Sequence, residues 1–367
     1  MKFICTQENL LTGLSSVSSL PGRNLQLPVL QHVLIEVREG VLQLTCTDLE
    51  VGARVIVSGK AEKDGAGTVL ARQLLEYVQQ LPGTEPVTLE IKNKNLFISL
   101  RGFKAQFPTA PADDFPLLPV APSDTLAVVD GHRLGQALDN TIFAAARDES
   151  RPEIHSLYLH GETDVLRLAA TDSFRLAESI VPLREGNKPF SFLLPISAAQ
   201  EVRRLFGQRD IVTVLATDNY VVFRDQGLYL SSRLVEGTYP DYRQIIPTAF
   251  DCRGEVKREE LLRALKILSV FLPRDSRRIS LRVQGEQGVV EMRTEGREAG
   301  QGEVTMAWQG KGKDVEVFFN ITYLLDGATH GRSERVELGF GGSSSPVMFR
   351  PVEEAAKNLY IVMPIQV

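Results

Sequence analysis

The residues of this 367-residue chain that could do chemistry are few and poorly grouped. His32, His132, His155, His160 and His330 are scattered, without metal-ligand spacing. His155 and His160 stand five apart across an expected strand, which sends them to opposite faces. Cys5, Cys46 and Cys252 are too widely separated to form a C-x-x-C ligand pair or to suggest a disulfide framework. Asp113-Asp114, just before Phe115-Pro116, reads as a solvated turn and not as an acid–base pair. A G-x-x-x-x-G-K-S/T loop to cradle phosphate, an H-E-x-x-H metal pair and a G-x-S-x-G nucleophile elbow are all missing from the sequence. An enzyme is therefore not expected, and no metal or cofactor is called for.

Hydrophobic residues make up 43% of the chain and charged residues 24%, ordinary values for a soluble globular protein. The length points to two or three domains. No apolar run approaches the roughly 20 residues that a membrane span needs. The N-terminus turns polar at Thr6-Gln7-Glu8, before the core of a signal peptide could form. With the dispersed cysteines, this gives a cytoplasmic expectation and sets aside an extracellular β-rich binding protein. A net charge of −5 and a pI near 5.7 argue against a protein that grips DNA by neutralising phosphates. They leave open one that surrounds DNA and contacts it weakly.

A long period organises the chain. Val41-Leu42-Gln43-Leu44 recurs as Val165-Leu166-Arg167-Leu168 and as Val289-Val290-Glu291-Met292, each 124 residues after the last. Thr47-Asp48 and Thr171-Asp172 keep the same spacing, and Thr294-Glu295 falls one residue out of step. Phe115-Pro116, Tyr239-Pro240 and Met363-Pro364 repeat it once more. Apolar spacing predicts helices at 6–19, 131–147 and 257–272, and second helices at 71–80, 197–206 and 321–328. Alternating strands are expected at 41–45 and 165–168, with closing strands at 95–100, 220–224 and 347–350. Linkers are expected at 116–123 and 247–253, and a loop at 341–345. The expected fold is α+β, with three tandem homologous domains at 1–121, 122–248 and 249–367, each a duplicated strand–helix–strands unit.

The sequence resembles the β subunit, or sliding clamp, of bacterial DNA polymerase III. The resemblance covers essentially the whole chain. It is carried by Met1-Lys2-Phe3, Leu27-Pro28-Val29-Leu30, Leu44-Thr45-Cys46-Thr47-Asp48-Leu49-Glu50 and Pro111-Ala112-Asp113-Asp114-Phe115-Pro116. Ala170-Thr171-Asp172-Ser173-Phe174-Arg175-Leu176-Ala177, Tyr239-Pro240-Asp241-Tyr242-Arg243 and Tyr360-Ile361-Val362-Met363-Pro364-Ile365 extend it. It implies a clamp fold in which two chains close head to tail into a ring around duplex DNA, helices facing the hole. It also implies a non-catalytic processivity factor, nucleoid-associated in the cytoplasm. The implied partners are a second copy, double-stranded DNA bound without sequence preference, the replicative polymerase, the clamp loader, and other polymerases and repair proteins. The alternative is a specialised clamp paralogue serving repair or resistance.

The resemblance implies three surfaces. A client-peptide pocket would be lined by Ile154, Thr171, Ser173, Phe174, Arg175 and Leu176, with Pro240, Gln244 and Ile245 as a second side. Ser345, Val362, Met363, Pro364 and Ile365 would form a third, and Arg175 would fix the peptide's polar groups. Phe174 stands where many relatives have His, and Gln244 where Arg is common. The dimer interface would use Lys104 and Phe107 against Val270, Phe271, Glu298 and Glu303, with Ala105 replacing a larger Phe and so weakening the contact. DNA-facing cations would include Arg72, Arg133, Arg147, Arg203, Arg204 and Lys266, with Arg23 and Arg151 as further DNA-facing positions. On the six expected helices, nine cations against seven carboxylates give +2, leaving −7 for the remainder.

Overall fold

The computed structural model describes the chain except for residues 21–26, 84, 187, 273–276, 297–299, 332, 354–356 and 367. Arg23 and Glu298 therefore lie outside the described residues. Six helices form where apolar spacing placed them: α1 (Gln7–Val17), α2 (Ala71–Gln79), α3 (Gly131–Asp139), α4 (Ile196–Phe206), α5 (Arg258–Ser269) and α6 (Ile321–His330). Leu10, Leu14 and Val17 put one buried stripe on α1, and Leu261, Leu265 and Leu268 do the same on α5. Side-chain caps start two of them, with Thr6 accepting from the Asn9 amide and Asn320 from the Thr322 amide.

The helix expected at 131–147 is shorter than that. It stops at Asp139, and a single 3-10 turn follows at Ile142–Ala144. The buried Thr141 turns its hydroxyl back onto the Ala137 carbonyl at 2.8 Å. Past the turn, Ala145 is extended and the Ala146 amide bonds to the Ile154 carbonyl at 3.0 Å, which commits the chain to the sheet. The linker expected at 247–253 is also shorter, because Cys252 and Arg253 already belong to a strand, Cys252–Lys257. That strand pairs with Arg335–Phe340.

The chain divides into two compact units. One comprises Met1–Gly131 with Gln208–Leu234, and the other His132–Gly207 with Val235–Val367. In the first, an antiparallel sheet runs in the order Lys60–Lys63, Lys2–Thr6, Pro86–Lys92, Asn95–Leu100, Phe103–Pro108. A second sheet runs from Gly65–Leu70 through His32–Arg38 and Val41–Thr47 to Val51–Val57. It continues through Leu228–Arg233, Tyr220–Arg224 and Val212–Ala216 to Ala127–Val129.

The second unit repeats the scheme. Its long sheet runs from Phe190–Pro195 through Ser156–Gly161 and Val165–Thr171 to Arg175–Gly186. It goes on through Asn358–Val362, Val347–Pro351 and Arg335–Phe340. A four-stranded sheet of Gly300–Ala307, Val289–Gly296, Arg278–Gln284 and Val315–Asn320 completes the unit. Within it α3 and α4 cross closely: a Cβ on Gly135 would stand 2.7 Å from the Gly207 Cα, so glycine is required there.

The 124-residue period is thus a structural one. The strands Val41–Thr47 and Val165–Thr171 begin and end 124 residues apart. Where one repeat's sheet continues into the next, the register is also preserved. Val51 stands opposite Ser232 in the first unit, and Arg175 opposite Val362 in the second.

Candidate functional site

The site begins with a turn that the sequence builds twice. In the first unit Thr47 Oγ1 donates to the Val51 carbonyl at 3.0 Å and accepts from the Leu49 amide at 3.0 Å. Asp48 Oδ1 accepts from the Glu50 and Val51 amides at 3.0 and 2.7 Å. In the second unit Thr171 Oγ1 donates to the Arg175 carbonyl at 2.6 Å and accepts from the Ser173 amide at 3.1 Å. Asp172 Oδ1 accepts from the Phe174 and Arg175 amides, both at 3.0 Å. Both turns force their third residue into the left-handed region, Leu49 at φ 80° and Ser173 at φ 77°. Thr and Asp are the residue types whose short oxygens can cap the backbone of such a turn.

Around the second turn the structure gathers most of the residues expected to bind a client. Phe174 is 60% exposed, and its carbonyl accepts from the Met363 amide at 2.8 Å, which ties the C-terminal tail to the turn. Leu176 pairs with Ile361, Arg175 with Val362. Ile154 and Leu176 are fully buried in one cluster with Tyr242, Met348 and Ile361, so they form the floor beneath the surface. Gln244 and Ile245 lie on a 3-10 turn, Tyr242–Ile245, and Ile245 is 45% exposed. Pro240 is exposed, Met363 and Pro364 are half-buried, and the Ile365 amide bonds to the Phe318 carbonyl at 2.7 Å. Ser345 keeps its hydroxyl within its own loop, donating to the Gly341 carbonyl at 3.0 Å. Arg151 reaches the turn itself, donating to Ser173 Oγ at 3.1 Å.

Arg175, expected to fix a peptide's polar groups, is engaged within the fold. Its side chain is only 5% exposed and is bonded to Asp172 Oδ2 at 2.9 Å and to Asp326 on α6. The guanidinium lies over the Tyr323 ring at 4.7 Å and the Phe143 ring at 5.7 Å. Phe143 in turn stacks on His330 with centroids 3.8 Å apart. The fork is thus engaged on both sides by acids and rings of its own chain. Asp172, Tyr323, Asp326 and Phe143 are the participants that sequence reasoning missed. Only Asp172 had left a signal, in the recurrence of Thr-Asp.

The cations expected to face DNA fare unevenly. Arg203 is held by Asp139 through two bonds of 2.7 and 2.9 Å, Arg204 by Glu201 at 2.6 Å and Arg72 by Glu76 at 2.8 Å. Arg133, Arg147, Arg151 and Lys266 are exposed. The expected helix charge of +2 is corrected, because Lys257 caps α5 from outside and Arg147 lies beyond the end of α3. The helices as they form carry Arg72, Arg133, Arg203, Arg204, Arg258, Arg263 and Lys266 against seven carboxylates, a net of zero.

Two strand edges complete the picture. Phe103–Pro108 borders its sheet with Lys104 exposed and Ala105 half-buried. Phe107 is 6% exposed, edge-on to Tyr77 at 5.4 Å, and Phe103 is the aromatic that this strand presents, at 46% exposure. In the second unit Gly300–Ala307 borders the four-stranded sheet, and Glu303 pairs with Arg293 at 3.3 Å. Phe271 packs on that strand so closely that a Cβ on Gly302 would stand 2.6 Å from its ring. Val270 projects beside it at 77% exposure. Among the described residues no helix is long and apolar enough to cross a membrane, and no group of three or more His, Cys, Asp and Glu could hold a metal.

Fold and site together define a repeat-built docking scaffold, with one turn used twice, one strand joint used twice and an apolar surface gathered at the second. Family models for the N-terminal, central and C-terminal domains of the DNA polymerase III beta subunit match residues 1–119, 128–241 and 243–366. The chain belongs to the DNA polymerase III β subunit family. A beta sliding clamp of Synechococcus elongatus is 30% identical over 377 residues, covering 100% of this chain and 99% of that relative. The DNA polymerase III β subunit of Thermotoga maritima superposes with a TM-score of 0.92 at 28% identity, covering 100% and 99% of the two chains. A sliding clamp of Pseudomonas aeruginosa bound to griselimycin gives 0.95 at 26% identity, covering 100% of both.

Proposed function

We infer that this chain is a DNA sliding clamp, a non-catalytic processivity factor that encircles duplex DNA and tethers client proteins to it. The observation that carries the reading is the full-length family match combined with a joint that occurs twice inside the chain and is left open at both ends. Each repeat lends one strand and receives one. Val51–Val57 takes Leu228–Arg233, and Arg175–Gly186 takes Asn358–Val362. The third receiving strand, Gly300–Ala307, and the first lending strand, Phe103–Pro108, each have one hydrogen-bonded neighbour among the described residues. Two copies use both by pairing head to tail, which closes a ring without exposed edges. Transferring the register of the two internal joints sets Gly300 opposite Phe107, and therefore Glu303 opposite Lys104. The repeats serve as domains 1–121, 122–248 and 249–367.

Helices with no net charge suit a hole that DNA passes through without being gripped in one register. Arg133, Arg147, Arg151 and Lys266 supply weak, sequence-independent phosphate contacts. Clients, including the replicative polymerase, the clamp loader and repair polymerases, enter through short apolar peptides laid between Phe174, Ile245 and the tail. Apolar anchors contribute most of the affinity in such contacts. The protein works in the cytoplasm, on the nucleoid. Calorimetric titration with a short synthetic peptide carrying a polymerase's clamp-binding segment tests the reading. Micromolar binding by the full chain, lost when residues 363–367 are removed, is the expected result. Binding that survives the truncation, or is absent from the full chain, counts against the pocket.

A further inference from the structure

We propose that Asp326 is a positioning residue for the client pocket, latching the turn at 171–175 to α6 through Arg175. The inference rests on the client-pocket reading and adds to it a residue outside the expected lining. The chain contains its own control. The first turn makes the same four side-chain-to-backbone bonds with Val51 where the second has Arg175. Its left-handed residue has nearly the same φ, and its strand joint the same register. An arginine is therefore not needed to fold the turn or to form the joint.

What the arginine adds is an attachment outside the turn. Nε bonds Asp172 within the turn, while Nη1 bonds Asp326 in the third repeat. Tyr323, one helical turn before Asp326, stacks against the same guanidinium. A guanidinium this deeply buried is held from both sides, and removing the Asp326 carboxylate leaves Nη1 without its acceptor while Asp172 alone offsets the charge. The turn carries the two groups that a client would meet, since Phe174 projects from it and its carbonyl holds Met363. Asp326 thus sets where Phe174 and the tail stand, although it belongs to neither.

The test uses the full chain with Asp326→Asn, Arg175→Gln and the double variant, titrated with the same synthetic peptide. Amide hydrogen exchange at Ser173, Phe174 and Arg175 is followed in parallel. Both single variants should weaken binding about tenfold, and the double variant should be no weaker than either, as for residues in one network. Exchange at the three amides should quicken, and Asp326→Glu, which keeps the acid, should restore most of the affinity. Asp139→Asn breaks another ion pair of the second unit and should leave peptide binding unchanged. Normal binding by a folded Asp326→Asn chain, or additive losses, overturns the proposal. So does an equal loss in Asp139→Asn. If the parent chain binds no peptide, the pocket reading fails separately. Exchange then decides the latch: quickened amides in Asp326→Asn sustain it, and unchanged amides overturn it.

Discussion

At the scale of single residues, one exposed aromatic and three hidden thiols make contrasting predictions. Phe174, 60% exposed beside Met363, has no packing role large enough to explain its size and offers an anchor for a client. Phe174→Ala should cost about 2 kcal/mol of peptide affinity with little change in melting temperature, measured by calorimetry and thermal unfolding. The cysteines are the reverse case. Burial pushes the Cys5 thiol up to about 12 and also raises Cys46 and Cys252. All three should resist alkylation at pH 8 in the native chain and react in urea, as mass spectrometry would count. The sign for stability follows from folded thiols holding their protons more tightly than unfolded ones. Their contribution is complete below the ordinary thiol range, near pH 9, and declines as pH rises beyond it.

At the scale of elements, the repeated turn separates what folds the chain from what serves the client. Thr47 and Thr171 make equivalent bonds, so Thr47→Val and Thr171→Val should each destabilise by about 1–3 kcal/mol in urea denaturation. Only Thr171→Val should also weaken peptide binding, because only the second turn carries an exposed aromatic and the tail. Equal loss of binding in Thr47→Val would mean that the affinity reports global stability.

At the scale of the whole molecule, self-association depends on two edges whose internal counterparts already show the register. In the first joint the position equivalent to Lys104–Glu303 is held by Tyr229 and Arg54, with the guanidinium 5.1 Å from the ring centroid. The proposed intermolecular pair replaces that contact with opposite charges. Lys104→Glu should weaken dimerisation several-fold in sedimentation equilibrium, and adding Glu303→Lys should restore much of it. A double variant as weak as the single one would reject the register. The pair is exposed enough that salt should reduce the difference.

The sequence by itself determined the elements and their repetition. Apolar spacing along 257–272 was enough to place α5, and the recurrences at 124 residues marked three like units, because both signals are local and survive as patterns of residue type. The Thr-Asp recurrence marked the turn that bears Phe174. Tertiary structure decided what the side chains were free to do. Arg175 had the composition of a peptide contact, yet Asp172, Asp326 and two rings from sequence-distant elements bury it. Lys257 closes the strand Cys252–Lys257 and Arg147 lies past the turn where Thr141 bonds back to Ala137, so neither belongs to a helix. Phe103 could not be preferred to Phe107 until Tyr77 covered the latter. Which strands were already paired also lay beyond the sequence, because partners such as Val51 and Ser232 meet only when chain segments far apart fold onto one another.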